Sequence, residues 1–270
     1  MMAADSDTWM QSLEAKLEAM RVDVSRTDDG LEAQAGQGIT AARARIDPAS
    51  LFDRLDEVDE AGAERLIAGY ASGVKQVLLE PKRSDAAEWD FEESAGRLIS
   101  TIEVDTFRLG AAAAAGEDPW TAGFFEDLVV AYMIELDVGM RVLTQAQFDR
   151  WAVTTDRVRA AARSMLYHKS RNAKPAPVEE FEGVEKLRVG DGFDAMRAIV
   201  VRDLFFSEFD DDYRFAIPTQ DAFLFVRGDA EDQVDALREA ADARYDEADY
   251  PLTRSIYGFE VGKPTLVEAR

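Results

Sequence analysis

The stretch YRFAIPTQDAFLFV, Tyr213 to Val226, decides how the second half of this chain folds. It holds two short apolar segments, each alternating in part, about a Pro218-Thr219-Gln220-Asp221 centre. Aromatic and β-branched residues suit a pleated, half-buried strand, whereas proline fixes φ and sets a bend. The spacing predicts a hairpin or bent strand pair. Phe205, Phe206, Phe209, Phe215, Phe223 and Phe225 gather around it, which predicts an aromatic core rather than a ligand box.

Working outward, VEKLRV (Val184 to Val189) reads as a strand, and Met196 to Phe205 as a buried helix with a strand as the alternative. The acidic run Glu208 to Asp212 reads as a turn. Downstream, Val234, Leu237, Ala241 and Tyr245 recur at helical spacing behind Asp229 as cap, and YPLTRSIYGFEV closes the chain as a further strand. KPAPVEEF, Lys174 to Phe181, reads as a linker, because two prolines one residue apart cannot continue a helix and favour an extended path.

Before that linker, Trp9, Leu13, Leu17 and Met20 mark an opening amphipathic helix capped by Ser6 or Asp7. Val22 and Val24 alternate with charges before Thr27-Asp28-Asp29-Gly30, a strand and hairpin turn, with a second strand between Leu31 and Arg45. Asp47 as cap and Pro48 in the first turn start a helix with Leu51, Phe52, Leu55 and Val58 inward. A longer helix from Ala61 to Glu80 follows and Pro81 ends it. RLISTIEV (Arg97 to Val104) is a strand, and the glycine-flanked alanine run Gly110 to Gly116 reads as a loop. DLVVAYMIELD (Asp127 to Asp137) is apolar on both faces, hence a central strand, with MRVLT its hairpin partner beyond Gly139. Thr144 then caps a helix with Phe148 and Trp151, and Thr154 or Thr155 caps DRVRAAARSMLYHKS. The expected class is α+β: mixed or antiparallel sheets with helices packed on them, in two parts. The N-terminal region is residues 1–173, the linker 174–183 and the C-terminal region 184–270; Pro81 to Glu92 is the alternative joint.

Composition narrows the function. Acidic residues outnumber basic ones 54 to 31, a formal net charge of -23, and 24 of the basic residues are Arg against 7 Lys. Gripping a phosphate backbone requires a basic stripe that releases counterions, so nucleic acid is not an expected partner. Two explanations of the acidity stay open: a solvated surface suited to a salty cytoplasm, or an acidic face that docks on a basic partner. No apolar run approaches the roughly 20 residues that span a bilayer, and MMAADSDTWMQ lacks the basic start and apolar centre of a signal peptide. A cytoplasmic location and no membrane partner are expected. With no Cys there are no disulfides, thiolate nucleophiles or thiolate zinc sites, which fits a reducing compartment.

Two blocks resemble a bacterial family of unknown function, the YtpQ-like proteins (domain of unknown function 1444). DLVVAYMIELDVGMRVLTQAQFDRWAVTTDRVRAAARSML is similar to the family's strand, turn, strand and helix. YRFAIPTQDAFLFV, the helix after it and ADYPLTRSIYGFE resemble its Pro-Ser/Thr-Arg-Asp segment, helix and closing Pro-Leu element. The resemblance covers roughly Phe124 to Glu260 and makes Pro218, Thr219, Gln220 and Asp221 the family-motif candidates. Gln220 stands where the family pattern has arginine. It keeps hydrogen-bonding capacity but loses the charge and the bidentate fork, so an activity resting on that arginine is in question for this chain.

Catalytic constellations are sparse. His168 is the only histidine, so one chain cannot build a two-histidine zinc site or a histidine pair for acid–base work. It reads as a helix-end side chain. No G-x-S-x-G, Walker A loop or G-x-G-x-x-G after a strand occurs, and Gly36-Gln37-Gly38 is a bare G-x-G. Carboxylate chemistry survives, because Mg²⁺ needs only oxygen ligands. Asp221 is the first candidate; Glu135, Asp137 and Asp203, at the edges of core elements, are weaker ones. Against this, a strand-end aspartate commonly accepts backbone hydrogen bonds in an Asx-type turn. Asp210-Asp211-Asp212 lacks the ligand spacing and glycine of an EF-hand and reads as a solvated turn.

The expected function is a non-enzymatic binding or regulatory protein that meets a basic protein surface through an acidic one, with no catalytic residue, no cofactor and no assigned metal site. The alternatives are an Mg²⁺-assisted hydrolase centred on Asp221 and an immunity-type protein that neutralises a basic toxin.

Overall fold

The computed structural model describes residues 6–28, 30–36, 42–80, 88–137, 139–204, 212–260 and 263–270, apart from the side chains of 202 and 203. Among these the fold is α+β, and the chain divides into two compact units, Met1–Leu98 with Glu103–Thr155, and Ile99–Ile102 with Asp156–Arg270. No helix among the described residues is long and apolar enough to cross a membrane.

The first unit opens with α1 (Ser6–Ala19), which buries Leu13 and Leu17. The antiparallel sheet β1 (Asp23–Thr27), β2 (Gly30–Ala35) and β3 (Ala42–Ile46) follows. Where the sequence predicts one strand between Leu31 and Arg45 there are two. Charged Arg43 and Arg45 hide β3 from a hydropathy reading, yet its alternation buries Ile46. Arg26 on β1 ties the sheet to α1 by donating to Glu14 at 2.6 Å. In α2 (Ala49–Leu55) Pro48 itself is the N-cap residue, and Asp47 instead accepts from Ala49 N at 3.0 Å. Asp59 caps α3 (Glu60–Leu78) by accepting from Gly62 N at 2.8 Å.

After α4 (Phe91–Ala95) and β4 (Leu98–Val104), residues Gly110 to Gly116 depart from expectation. They belong to α5 (Thr106–Ala115) and its left-handed cap at Gly116, φ 73°. Alanine is the strongest helix former, and glycine just past the last turn is a common C-cap, so this sequence is helical once Gly110 has a packing role. That role is close approach. A Cβ on Gly110 would lie 1.9 Å from Tyr70 O on α3, and one on Gly73 would lie 2.1 Å from Phe107 O on α5. The two helices pack backbone to backbone.

β6 (Leu128–Glu135) lies between β4 on one edge and, on the other, β5 (Thr121–Gly123) and β7 (Met140–Val142), which pair antiparallel with successive stretches of it; its buried residues Ala131, Tyr132, Met133 and Ile134 fit the central strand that its continuous hydropathy predicts. Thr144 caps α6 (Gln145–Trp151) by accepting from Gln147 N at 3.2 Å. Trp120 stacks on Phe148 at 4.4 Å and leans on Tyr132 at 4.5 Å, which locks α6 to the sheet.

In the second unit α7 (Thr155–Ser170) precedes one six-stranded sheet. Its strands are β8 (Pro175–Pro177), β9 (Glu185–Leu187), β10 (Arg214–Ala216), β11 (Leu224–Val226), β12 (Ile256–Glu260) and β13 (Lys263–Glu268), in spatial order β13-β12-β10-β11-β9-β8. The segment expected as a linker is thus the edge strand β8, the one place in a sheet where prolines forfeit no ladder bond. The tail expected as one strand is two. The stretch from Met196 is neither one long helix nor a strand: a 3₁₀ turn (Ala195–Ile199) leads into short α8 (Val201–Leu204). Ala230, not Asp229, is the N-cap residue of α9 (Glu231–Asp246).

The Tyr213–Val226 stretch forms the centre of this sheet. Phe215 pairs with Phe225 on one side and with Tyr257 on the other. Period-two alternation sorts its side chains: Ala216, Leu224, Val226 and Ile256 join Leu237, Ala240 and Ala241 of α9 in one apolar layer. Phe215, Phe223, Phe225, Tyr257 and Phe259 form the aromatic layer on the opposite face, with Phe215 centred 5.0–5.5 Å from Phe223, Tyr257 and Phe259. Each such fully buried side chain contributes about 1.5–3 kcal/mol. Phe205, Phe206 and Phe209 lie outside the described residues, as do Gly38 and residues 81–87 of the alternative joint.

Candidate functional site

The turn between β10 and β11 is held by main chain. Leu252 N donates to Pro218 O at 2.8 Å, Ala222 N to Thr219 O at 3.2 Å, and Ala195 N to Gln220 O at 3.0 Å. Thr219 also forms a β-bridge with Pro251. Pro218 and Thr219 are buried, Gln220 is half-buried and Asp221 is exposed. Asp221 Oδ1 accepts the Thr219 hydroxyl hydrogen at 2.7 Å rather than the backbone N–H of an Asx-type turn.

Asp221 opens on a hollow of about 310 Å³ whose polar lining includes Lys186, Arg188, Thr219, Arg244 and Glu247. Lys186 and Arg188, two residues apart and so on one side of an extended chain, enter no ion pair among the described residues. Arg244 and Glu247 pair at 3.3 Å. The hollow therefore presents more cationic than anionic side chains, a donor set that suits Mg²⁺ poorly, since that ion prefers carboxylates, water and phosphate oxygens. Among the described residues no group of three or more His, Cys, Asp or Glu is placed to hold a metal ion.

The weaker carboxylate candidates stand apart from this turn in sequence and in role. Glu135 ends β6, where its N–H donates to Arg97 O at 2.8 Å. Asp137 is solvent-facing and pairs with Arg97 at 3.0 Å. Asp203 is in α8 and its side chain lies outside the described residues, as do Asp210 and Asp211; Asp212 is exposed. His168 is exposed in the last turn of α7.

Two other clusters carry no sequence motif. Glu80, at the end of α3, accepts from Val142 N at 2.7 Å and from Arg141 at 3.5 Å. Burial pushes its carboxyl above the ordinary range, the Val142 N–H and the Arg141 charge oppose this in part, and the charge of Glu117 adds to it. In the second unit Arg197 is wholly buried between Asp191 and Asp194. A glutamate before proline at a helix end reads only as a stop signal, and an arginine inside an apolar run reads as its solvent face. Neither local pattern reveals which charged groups the fold will enclose.

Fold and sites together define an α+β protein of antiparallel sheets, with a mixed-charge hollow at its central hairpin. No protein-family model matches the chain, and no curated protein or solved structure does either.

Proposed function

We propose that this chain is a cytoplasmic, non-enzymatic binding or regulatory protein of the YtpQ-like family, and that it docks a basic protein partner on an acidic face of its first unit. The observation that carries the reading is the segment Asp53–Glu64. Asp53, Asp56, Glu57, Glu60 and Glu64 are exposed, and among the described residues none of them enters an ion pair. Arg54 within the segment and Arg65 just after it are turned to other carboxylates. Arg54 donates to Asp105 at 2.8 Å, and Arg65 grips Asp127 with both terminal nitrogens. Glu57 feels the charge of Arg54, but the face keeps a net excess of carboxylates where α2 passes into α3, so it attracts a cationic surface and repels nucleic acid.

The experiment is affinity capture with the full chain and with a variant in which those carboxylates are changed to Gln. A partner retained by the native protein should be retained at least about tenfold less by the variant, and should elute as salt rises from about 0.1 to 0.5 M, over which the Debye length falls by about half. Equal retention by the two proteins, or retention indifferent to salt, sinks the proposal.

A further inference from the structure

A hollow of about 280 Å³ in the first unit lies where the ends of α3, α5 and β7 meet, and Glu80, Glu117 and Arg141 supply its charges. One side of its apolar wall is small-residue surface, Ala111, Ala114 and Ala115 of α5, and Val77, Pro119 and Val142 complete it. The alanine run thus does two things, since the close packing at Gly110 brings α5 against α3 while the short side chains beyond it leave room.

The polar groups of this hollow satisfy one another only in part. Arg141 is four-fifths buried, its Nη1 reaches Glu80 Oε2 only at 3.5 Å, and its Nε is buried without an acceptor. A buried guanidinium N–H left unbonded costs free energy that an incoming acceptor would recover. Glu80 Oε1 is committed to Val142 N, so the hollow holds two carboxylates, Glu80 and the exposed Glu117, against the single guanidinium of Arg141, whose contact with Glu80 Oε2 is long. Among the described residues Arg141 Nε has no acceptor, and no cation besides Arg141 lines the hollow with Glu80 and Glu117.

We infer that this hollow binds a small zwitterion, a free α-amino acid with a short aliphatic side chain. Its carboxylate meets Arg141, its ammonium meets Glu80 and Glu117, and its side chain lies on the alanine wall. The volume lies just below that of ligand pockets, which run from about 300 to 1,000 Å³, and that limits the ligand to few heavy atoms. The raised protonation range of Glu80 fits the same picture, because a bound ammonium would restore its charged form.

The test is calorimetric titration of the full chain with L-valine, with L-valine methyl ester, which lacks the carboxylate, and with 3-methylbutanoate, which lacks the ammonium. L-Valine should bind saturably below about 10 mM, and each truncated probe at least about tenfold more weakly. Ala114→Leu, which keeps helix propensity and fills the wall, should abolish binding with unchanged circular dichroism. Glu80→Gln, which keeps an acceptor for Val142 N–H, should weaken binding about tenfold. No saturable heat with L-valine, equal affinity for either truncated probe, or undiminished binding by folded Ala114→Leu would overturn the inference.

Discussion

Arg197 shows how much one side chain carries. It has no exposed surface, and its guanidinium donates to Asp194 Oδ1 at 2.7 Å and to both carboxylate oxygens of Asp191 at 2.9 Å. Asp194 also accepts from Val189 N at 2.8 Å and Gly190 N at 3.3 Å, so the loop after β9 wraps a buried ion cluster. Removing one partner of such a cluster strands the other in low dielectric. Arg197→Met should therefore lose about 3–5 kcal/mol, read by urea denaturation at neutral pH, whereas an ordinary surface arginine would cost under about 1 kcal/mol. The two carboxylates titrate in opposite directions: burial holds the Asp194 carboxyl above its ordinary range, so the definite sign that follows is that of Asp191 alone. Burial pushes the Asp191 carboxyl up, but the hydrogen bonds and charge of Arg197 outweigh it and leave it below 3.8. A depressed carboxylate contributes stability above its unfolded pKa and loses it as pH falls through the folded one. Native protein should lose this increment on acidification below pH 3.8, and Arg197→Met should lack it. Nothing in the sequence singles out Arg197 among its 24 arginines. Helical spacing tells which residues share a face, not whether a charge on that face finds carboxylates inside.

At the level of elements, the contact of α3 with α5 sets two principles against each other. In an exposed helix Gly→Ala stabilises by about 0.5–1 kcal/mol. At Gly110 the new Cβ would lie 1.9 Å from Tyr70 O, a main-chain atom that cannot rotate away. Overpacking of this kind costs typically about 1–3 kcal/mol, so Gly110→Ala should lower the urea midpoint although propensity alone predicts a rise. A rise would mean that the helices separate easily. This element is also where local reading and structure part most clearly: the flanking glycines look like breakers, but one is a packing surface and the other a cap. Edge strand β8 teaches the same lesson with proline. The elements read most securely, α3, β6 and the β10–β11 hairpin, are those whose apolar periodicity spans the whole element.

Charge governs the molecule as a whole. Local neutralisation is extensive on the second unit, where Arg238 engages Glu231, Asp235 and Glu268, and Arg254 engages Asp242 and Asp246. Exposed pairs of this kind contribute about 0–1 kcal/mol each, and salt weakens them. A net charge of -23 nevertheless remains, and its self-repulsion is relieved by the same salt. Repulsion should win: the urea midpoint should rise between about 0.05 and 0.5 M sodium chloride, the range over which screening closes in on neighbouring charges. A falling midpoint would show that the arginine networks dominate. Capture of a basic partner should move the opposite way with salt, which separates the solvation role of the acidity from its docking role.

The sequence by itself determined the α+β class, the central strand from Leu128 to Glu135, the aromatic hairpin about Pro218, and the excess of acid, because periodicity, turn chemistry and composition are local quantities. It also marked Pro218, Thr219, Gln220 and Asp221 as one unit, and the fold keeps them in one turn. What only the tertiary structure decided is which polar groups come together: Lys186 and Arg188 beside Asp221, Glu80 with Arg141 and Glu117, Arg197 between two aspartates. The Glu80, Arg141 and Glu117 grouping joins residues distant along the chain. The Arg197 cluster, though local in sequence, depends on burial that only the packed neighbours create. Desolvation and proximity set the chemistry of a charged side chain, and both arise only when the chain has closed on itself.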